Sequence, residues 1–431
     1  MSTPQRILVM AHAHPDFSLG GGELAAYQLF QAYRQQPDVE AAWFLGRADR
    51  GRGASGAITL RRPNEYLWEQ GVHDWHLMKA AHQDSLTTWF ADLVRALRPT
   101  VVHTHHYAHL GLEYLRVIKQ VDPSIRIVLT LHEYMAICSN NGQMVKAGSS
   151  KLCSRESFDE CSKCFPDKTP EDFWLRKHYF QRHFEFVDQF IAPSAFLRQR
   201  YIDWGLDPEQ IVVIENGQAD EAPLPPRPLK DGETRNRFAF FGQINPFKGL
   251  DVVLEALTEM SALERKRIVL EVHGANLEWQ PQEFQDKIEK LRAPLVRQGV
   301  VQWVGPYQPD ELRARMAAVD WVVVPSIWWE NSPMVIQEAM VHGRPLLVSD
   351  IGGMREKVRD GVTGFHVPPR NPAMWAQRMK QAAQTPTDQW EKLRTQTARP
   401  IVHAACARAH LDLLAEPQAE PQAVAQMAQM A

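Results

Sequence analysis

Long apolar runs are missing from this 431-residue chain. No stretch approaches the roughly 18 to 20 apolar residues that cross a bilayer, so no membrane-spanning helix is predicted. A dominant charge is missing too. The formal net charge is −3 with both signs interspersed, so nucleic acid is not an expected partner. Cysteine is scarce, with five residues in all, and a reducing cytosol disfavours disulfides. The first ten residues run straight into Ile7-Leu-Val-Met10 without the apolar core of a signal peptide. Together these absences predict a cytoplasmic protein, compatible with peripheral contact at the inner face of a membrane. What is present is ordinary soluble composition, 44% hydrophobic and 23% charged. The length exceeds a single core, so two domains are expected.

Apolar, β-branched runs alternate with helical stretches along residues 1–218. Predicted strands are Ile7–Met10, Ala41–Leu45, Thr100–His103, Ile125–Leu131, Phe190–Pro193 and Ile211–Ile214. Predicted helices run from Glu23 to Arg34, from about Leu77 to Leu97 and from about Leu110 to Val121. A Pro-rich, exposed linker is expected over 219–236. The alternation restarts over 237–371 with Arg237–Phe241, Arg267–Val272, Val300–Val304, Trp321–Val324 and Pro345–Ser349. C-terminal helices are expected over 372–415, and the repeated Glu-Pro-Gln-Ala of 416–431 reads as a disordered tail. The fold class is α/β, two doubly wound domains facing across a cleft.

The chemistry concentrates at strand ends. Pro325-Ser-Ile-Trp-Trp-Glu-Asn-Ser-Pro-Met-Val-Ile-Gln-Glu338 follows the buried run Trp321–Val324 and opens a helix that Gly343 closes. Asn331 or Ser332 is the expected cap, with Pro333 in the first turn. Glu330 then sits in the crevice at a strand's carboxyl end. Glu338 lies about one turn inside the helix, beside free amides that suit a phosphate. Phe241-Gly-Gln-Ile-Asn-Pro-Phe-Lys-Gly249 turns from a strand into the next helix, and Lys248 there can meet a diphosphate. Gly20-Gly-Gly22 lets backbone approach a ligand closely. Val102-His-Thr-His-His106 puts three imidazoles at another strand end.

The spacing Pro325-Ser-x3-Glu330-x7-Glu338, with Ser349-Asp-Ile-Gly-Gly353-x2-Glu356 after it, resembles the GT-B glycosyltransferases of family 4. The resemblance covers nearly the whole chain up to the tail. It implies two Rossmann-like domains, of which 1–218 binds acceptor and 237–371 binds a nucleotide-sugar donor. The helix Pro372–Ala383 should cross back to the first domain. It also implies transfer of a sugar, with retained configuration, from a UDP- or GDP-sugar to a glycan or lipid-linked glycan hydroxyl in cell-surface polysaccharide or glycoconjugate synthesis. No cofactor is required for catalysis. Glu330 and His105 lie by the sugar. Glu338 takes the ribose hydroxyls, and Gly21, Gly22, Gln243, Lys248, Asn331, Ser332, Pro333, Met334 and Val335 surround the rest of the donor. His132 and Glu133 of Thr130-Leu-His-Glu-Tyr134 lie on the acceptor side. The family's usual arginine is replaced by Gln243.

Cys138, Cys153, Cys161 and Cys164 fall within 27 residues and supply four soft ligands for a structural zinc, with the C-x2-C pair at the usual spacing. Two other readings compete. His14-Pro15-Asp16 resembles the opening of zinc-dependent N-acetylglucosamine deacetylases, although Phe17 and Ser18 stand where that family has metal-site acids. A GT-B-like subunit that binds nucleotide or glycan without turnover is the second.

Overall fold

The computed structural model describes residues 4–18, 20–48, 55–149 and 151–415. The first sheet contains β1 (Gln5–Ala11), β2 (Val39–Arg47), β3 (Ile58–Arg62) and β4 (Glu65–Trp68). A separate two-stranded ribbon, β5 (Val72–Asp74) and β6 (Lys79–Ala80), follows. The sheet then continues with β7 (Val101–Thr104), β8 (Arg126–Thr130), β9 (Gln189–Ala192) and β10 (Ile211–Val213). Its order is β10-β9-β8-β7-β1-β2-β4-β3, with the edge hairpin β3–β4 antiparallel. The second sheet is built from β11 (Arg237–Gln243), β12 (Val269–Ala275), β13 (Val301–Trp303), β14 (Trp321–Val324), β15 (Leu346–Ser349) and β16 (Gly364–Val367). It is parallel throughout, in the order β13-β12-β11-β14-β15-β16.

The unbroken apolar runs follow from helices on both faces of each sheet. Leu8 and Met10 enter one core cluster, and Ile7 and Val9 enter another on the opposite face. Phe238 and Phe240 divide from Ala239 and Phe241 in the same way. Strand order reverses between β1 and β7 and between β11 and β14, so a crevice opens at the carboxyl ends of those pairs. The Gly21 loop, the histidine run, the Lys248 turn and the Glu330 loop hang from these four strands.

Several boundaries differ from the sequence reading. The helix expected from Leu77 begins at Gln83 and runs through a π-turn at Leu86–Phe90, because Lys79–Ala80 pairs with Val72–Asp74 instead. The helix expected from Leu110 begins at Tyr114. Gly111, at φ +87°, packs so close to Ala80 that a Cβ there would lie 2.6 Å from its Cβ. Strands β3, β4, β5, β6 and β16 were not anticipated. The helix Pro372–Ala383 does not return to the first domain: Trp375 and Met379 sit in the core of the second. The returning element is the helix His403–Ala415, whose Cys406, Ala407 and Leu411 join the first-sheet core. The expected tail, 416–431, lies outside the described residues.

The linker is mostly exposed but anchored. Leu224 is buried against the second-domain core. Fully buried Asp320, just before β14, accepts from Arg227 (2.9 Å), Arg235 (3.2 Å) and the Arg237 amide (3.1 Å). Removing this carboxylate strands two guanidinium groups in a low-dielectric site. Asp320→Ala is expected to cost roughly 3–5 kcal/mol, read as a lower denaturant midpoint in urea unfolding.

Candidate functional site

Glu330 is buried, and its Oε1 accepts from Lys248 Nζ (2.7 Å), Ser326 Oγ (2.7 Å) and Trp328 Nε1 (2.9 Å). The turn after β11 delivers Lys248 because Asn245 Oδ1 accepts the amides of Phe247 (3.0 Å) and Lys248 (3.1 Å). Gly249 closes that turn at φ +69°, where a Cβ would lie 2.0 Å from the Pro325 carbonyl oxygen. On the other side, Gly353 donates its amide to the Glu330 carbonyl at 2.7 Å. Two residues placed on separate duties by the sequence, Lys248 and Glu330, thus form one ion pair.

The following helix spans Met334–Val341. Its N-cap is Pro333, and neither Asn331 nor Ser332 caps it. Asn331 Oδ1 instead accepts from Ser194 Oγ of the first domain at 2.7 Å, and Ser332 Oγ is buried with no partner among the described residues. Without a side-chain cap, the first-turn amides of Met334 and Val335 have no acceptor within the helix. Glu338 occupies the fifth helical position, where no donor reaches its carboxylate among the described residues. Burial pushes its pKa up to about 7. Gln243, at the end of β11, is exposed.

The first-domain wall approaches this helix closely. A Cβ on Gly21 would touch Met334 Sδ at 3.4 Å, and one on Gly22 would meet His132 at 3.6 Å and His12 at 3.8 Å. Glu23, in the first turn of the helix Gly21–Tyr33, accepts from Ser18 Oγ (2.6 Å) and pairs with His12 Nε2 (3.3 Å). Burial would raise its pKa, but the His12 and Ser18 contacts outweigh it and hold the carboxyl at about 2.

His105 does not face the cleft. It is buried between the rings of His103 and His132, with Nδ1 3.0 Å from His132 Nε2. It lines a small cavity with His403, Cys406 and His410 of the returning helix. Burial and the neighbouring imidazoles push its pKa well below the usual value. His12 and His132 keep open edges on the wall, and His12 carries no motif that would have singled it out. Glu133 stands 3.6 Å from His106, its pKa pushed up to about 8 by burial.

A seam joins the domains beside Glu330. Trp329 Nε1 donates to the Cys153 carbonyl at 2.9 Å and stacks on Phe196, and Arg200 lies over both rings. Glu356 accepts the amides of Ala195 and Phe196 at 2.8 Å each, capping a first-domain helix from the second domain.

Two family profiles divide the chain between them. One described as Glycosyltransferase Family 4 matches residues 19–221, and one described as Glycosyl transferases group 1 matches 226–399. The chain belongs to the family 4 glycosyltransferases of the GT-B fold. Among curated relatives, the D-inositol 3-phosphate glycosyltransferase of Corynebacterium diphtheriae is 32% identical over 66% of this chain and 62% of its own. That of Geodermatophilus obscurus is 31% identical over 44% of each chain. The lipopolysaccharide 1,2-N-acetylglucosaminetransferase of Salmonella typhimurium is 30% identical over 41% of this chain and 48% of its own. The chain thus spans about half the length of the curated relatives it matches. The structure of Anabaena HepE in complex with UDP and glucose superposes with a TM-score of 0.64 at 17% identity, covering 96% of this chain and 100% of that one.

Within this family 4 chain the zinc expectation gains no support from side-chain placement. Among the described residues no three His, Cys, Asp or Glu side chains converge as metal ligands. Cys138 and Cys153 pack against the first-domain core, and Cys153 Sγ donates to the Arg155 carbonyl. The deacetylase-like residues are also otherwise engaged. Buried His14 contacts Glu65 Oε2 at 3.0 Å, and Asp16 pairs with Arg61 and Arg62. No helix among the described residues is long and apolar enough to cross a membrane.

Gly353 is the tightest point of the site, since a Cβ there would lie 1.6 Å from the Asn331 carbonyl oxygen. Gly353→Ala must displace the Glu330–Asn331 backbone. It is expected to cost on the order of 1–3 kcal/mol of stability, read as a lower denaturant midpoint in urea unfolding.

Proposed function

We propose that this chain transfers a sugar from a nucleoside diphosphate donor to a hydroxyl of a glycan or lipid-linked glycan, with retained anomeric configuration. The observation that carries this reading is the Lys248–Glu330 ion pair a few residues before a helix whose first-turn amides have no helical acceptor, with Glu338 one turn along that helix. A diphosphate satisfies those amides and the helix's positive end. Lys248 has three N–H donors, so it can keep Glu330 and still reach a phosphate oxygen. Charge growing on the departing diphosphate is stabilised by groups already in position, which is the main catalytic task in such a transfer.

Glu338 receives the ribose hydroxyls, and Gly21 and Gly22 close over the phosphates from the opposite wall. Gln243, in place of an arginine, contributes a neutral donor at the rim. Glu330 orients Lys248 and borders the sugar. His132 and His12 face that sugar, and His105 holds His132 from behind as a positioning residue. Glu133 and His106 border the acceptor. The donor is a UDP- or GDP-sugar, and the similarity to an inositol phosphate glycosyltransferase and a lipopolysaccharide transferase supports a role in cell-surface glycoconjugate synthesis. We place the protein in the cytoplasm, with peripheral contact at the membrane's inner face.

A donor panel of UDP-, GDP- and ADP-sugars, read by product formation and by thermal shift, tests this reading. Lys248→Ala is expected to lower kcat by about 10²–10³-fold, and Glu338→Ala to raise the donor's Kd by roughly 10–10²-fold. If no donor shifts the melting temperature and none is turned over, the proposal is wrong.

Glu338 also sets a pH dependence. Its folded pKa near 7 means the unliganded carboxyl is protonated below that pH. Two hydroxyl donors favour the carboxylate. Donor affinity should therefore fall as pH drops from about 7 towards 5, by up to about tenfold per unit, and Glu338→Gln should flatten the profile in calorimetric titrations.

A further inference from the structure

A second concave site lies on the first domain away from the donor crevice. It is a groove of about 410 Å³ lined by Arg47, Gly71, Val72, Trp75, His109 and Asn141, within the roughly 300–1,000 Å³ usual for small-molecule sites. Its position is set by topology. Arg47 ends β2, His109 lies in the loop after β7, and Asn141 lies in the loop after β8. All three therefore gather at the carboxyl edge of the first sheet, the edge that faces the cleft.

The lining is organised in advance. Trp75 is half-buried with its ring packed against the first-domain core. Its Nε1 donates to Asn141 Oδ1 at 3.1 Å, and the His109 ring lies 4.9 Å from its own. Arg47 Nε donates to the Gln70 carbonyl at 2.8 Å, fixing the guanidinium. His109 and Asn141 both hold left-handed backbone, at φ +63° and +49°. Asn141 also leads directly to Gly142, whose added Cβ would lie 2.2 Å from Glu133 Oε2. The groove thus adjoins the Glu133 and His106 pair.

We infer that this groove is a subsite for a pyranose ring of the acceptor, stacked on Trp75 and hydrogen-bonded by the Asn141 amide and the His109 ring. An aromatic ring with polar groups at its edge fits a sugar, which presents an apolar C–H face and a rim of hydroxyls. The Asn141 carboxamide, with its oxygen committed to Trp75, turns its NH2 group to the ligand. The inference rests on the transfer reading above, and its chemistry is shared by free and lipid-linked glycans.

The test combines kinetics with direct binding on the full chain. Saturation-transfer NMR with methyl hexopyranosides, free short oligosaccharides and a lipid-linked oligosaccharide in detergent identifies the source of the ring. Trp75→Ala should abolish the saturation transfer while UDP or GDP binding is retained, which also shows that the variant folds. With an active donor and acceptor pair, Trp75→Ala and Asn141→Ala should each raise acceptor KM by on the order of tenfold or more, with donor KM unchanged and Trp75→Phe partly restoring it. Unchanged acceptor KM in Trp75→Ala, or glycan binding that survives it, overturns the subsite. Glycan binding lost in Trp75→Ala, in a chain that turns over no donor, supports the subsite and refutes the transfer reading instead.

Discussion

One carboxylate oxygen, Oε1 of Glu330, takes hydrogen bonds from Lys248, Ser326 and Trp328, and the surrounding architecture converges on it. A charged acceptor buried at a strand end is tolerated only when its lone pairs are satisfied. Satisfying them draws the β11 turn onto the β14 loop. The same loop gives its backbone carbonyl to Gly353 and its Asn331 side chain to Ser194. The helix beginning at Met334 is therefore positioned by contacts from both domains.

Around that point the acids are divided by their partners. Glu23 has hydrogen-bond donors and stays ionised far below neutrality, whereas Glu338 and Glu133 are half-buried, and desolvation pushes them towards it. Carboxyls poised near neutral pH gain most from a ligand that donates hydrogen bonds. The imidazole stack of His103, His105 and His132 carries the reverse logic, since burial disfavours its charged forms. The first-domain wall therefore adds hydrogen bonding rather than positive charge.

The central strands were legible because parallel strands covered on both faces are continuously apolar, as in Ile7–Met10 and Trp321–Val324. The region from Ile58 to Ala80 was not, since its short strands mix charged and apolar residues and their pairing depends on partners elsewhere. Glycine positions were informative, with the reasons visible only in space: Gly249 and Gly353 are held by carbonyls 76 and 22 residues away. The cysteine spacing suggested a metal, and chain spacing by itself does not fix how loop side chains converge. His105 was drawn from a histidine run at a strand end, yet its ring stacks on His103 while the neighbouring His106 meets His12 and Glu133. Only packing against the returning helix decides which ring is covered.

Local sequence determined the alternation of strands and helices, the break between two α/β halves, and the chemical types at the four central strand ends. These depend on short-range pattern: β-branched runs, glycine turns, and carboxylates eight residues apart. Tertiary structure alone decided that Lys248 meets Glu330, that Glu356 caps a helix of the other domain, that His12 rather than His105 keeps an open edge, and that Trp75, His109 and Asn141 share a groove. Each of those contacts joins residues more than 25 positions apart. Their geometry is set by how sheets and helices pack, and no local propensity encodes it.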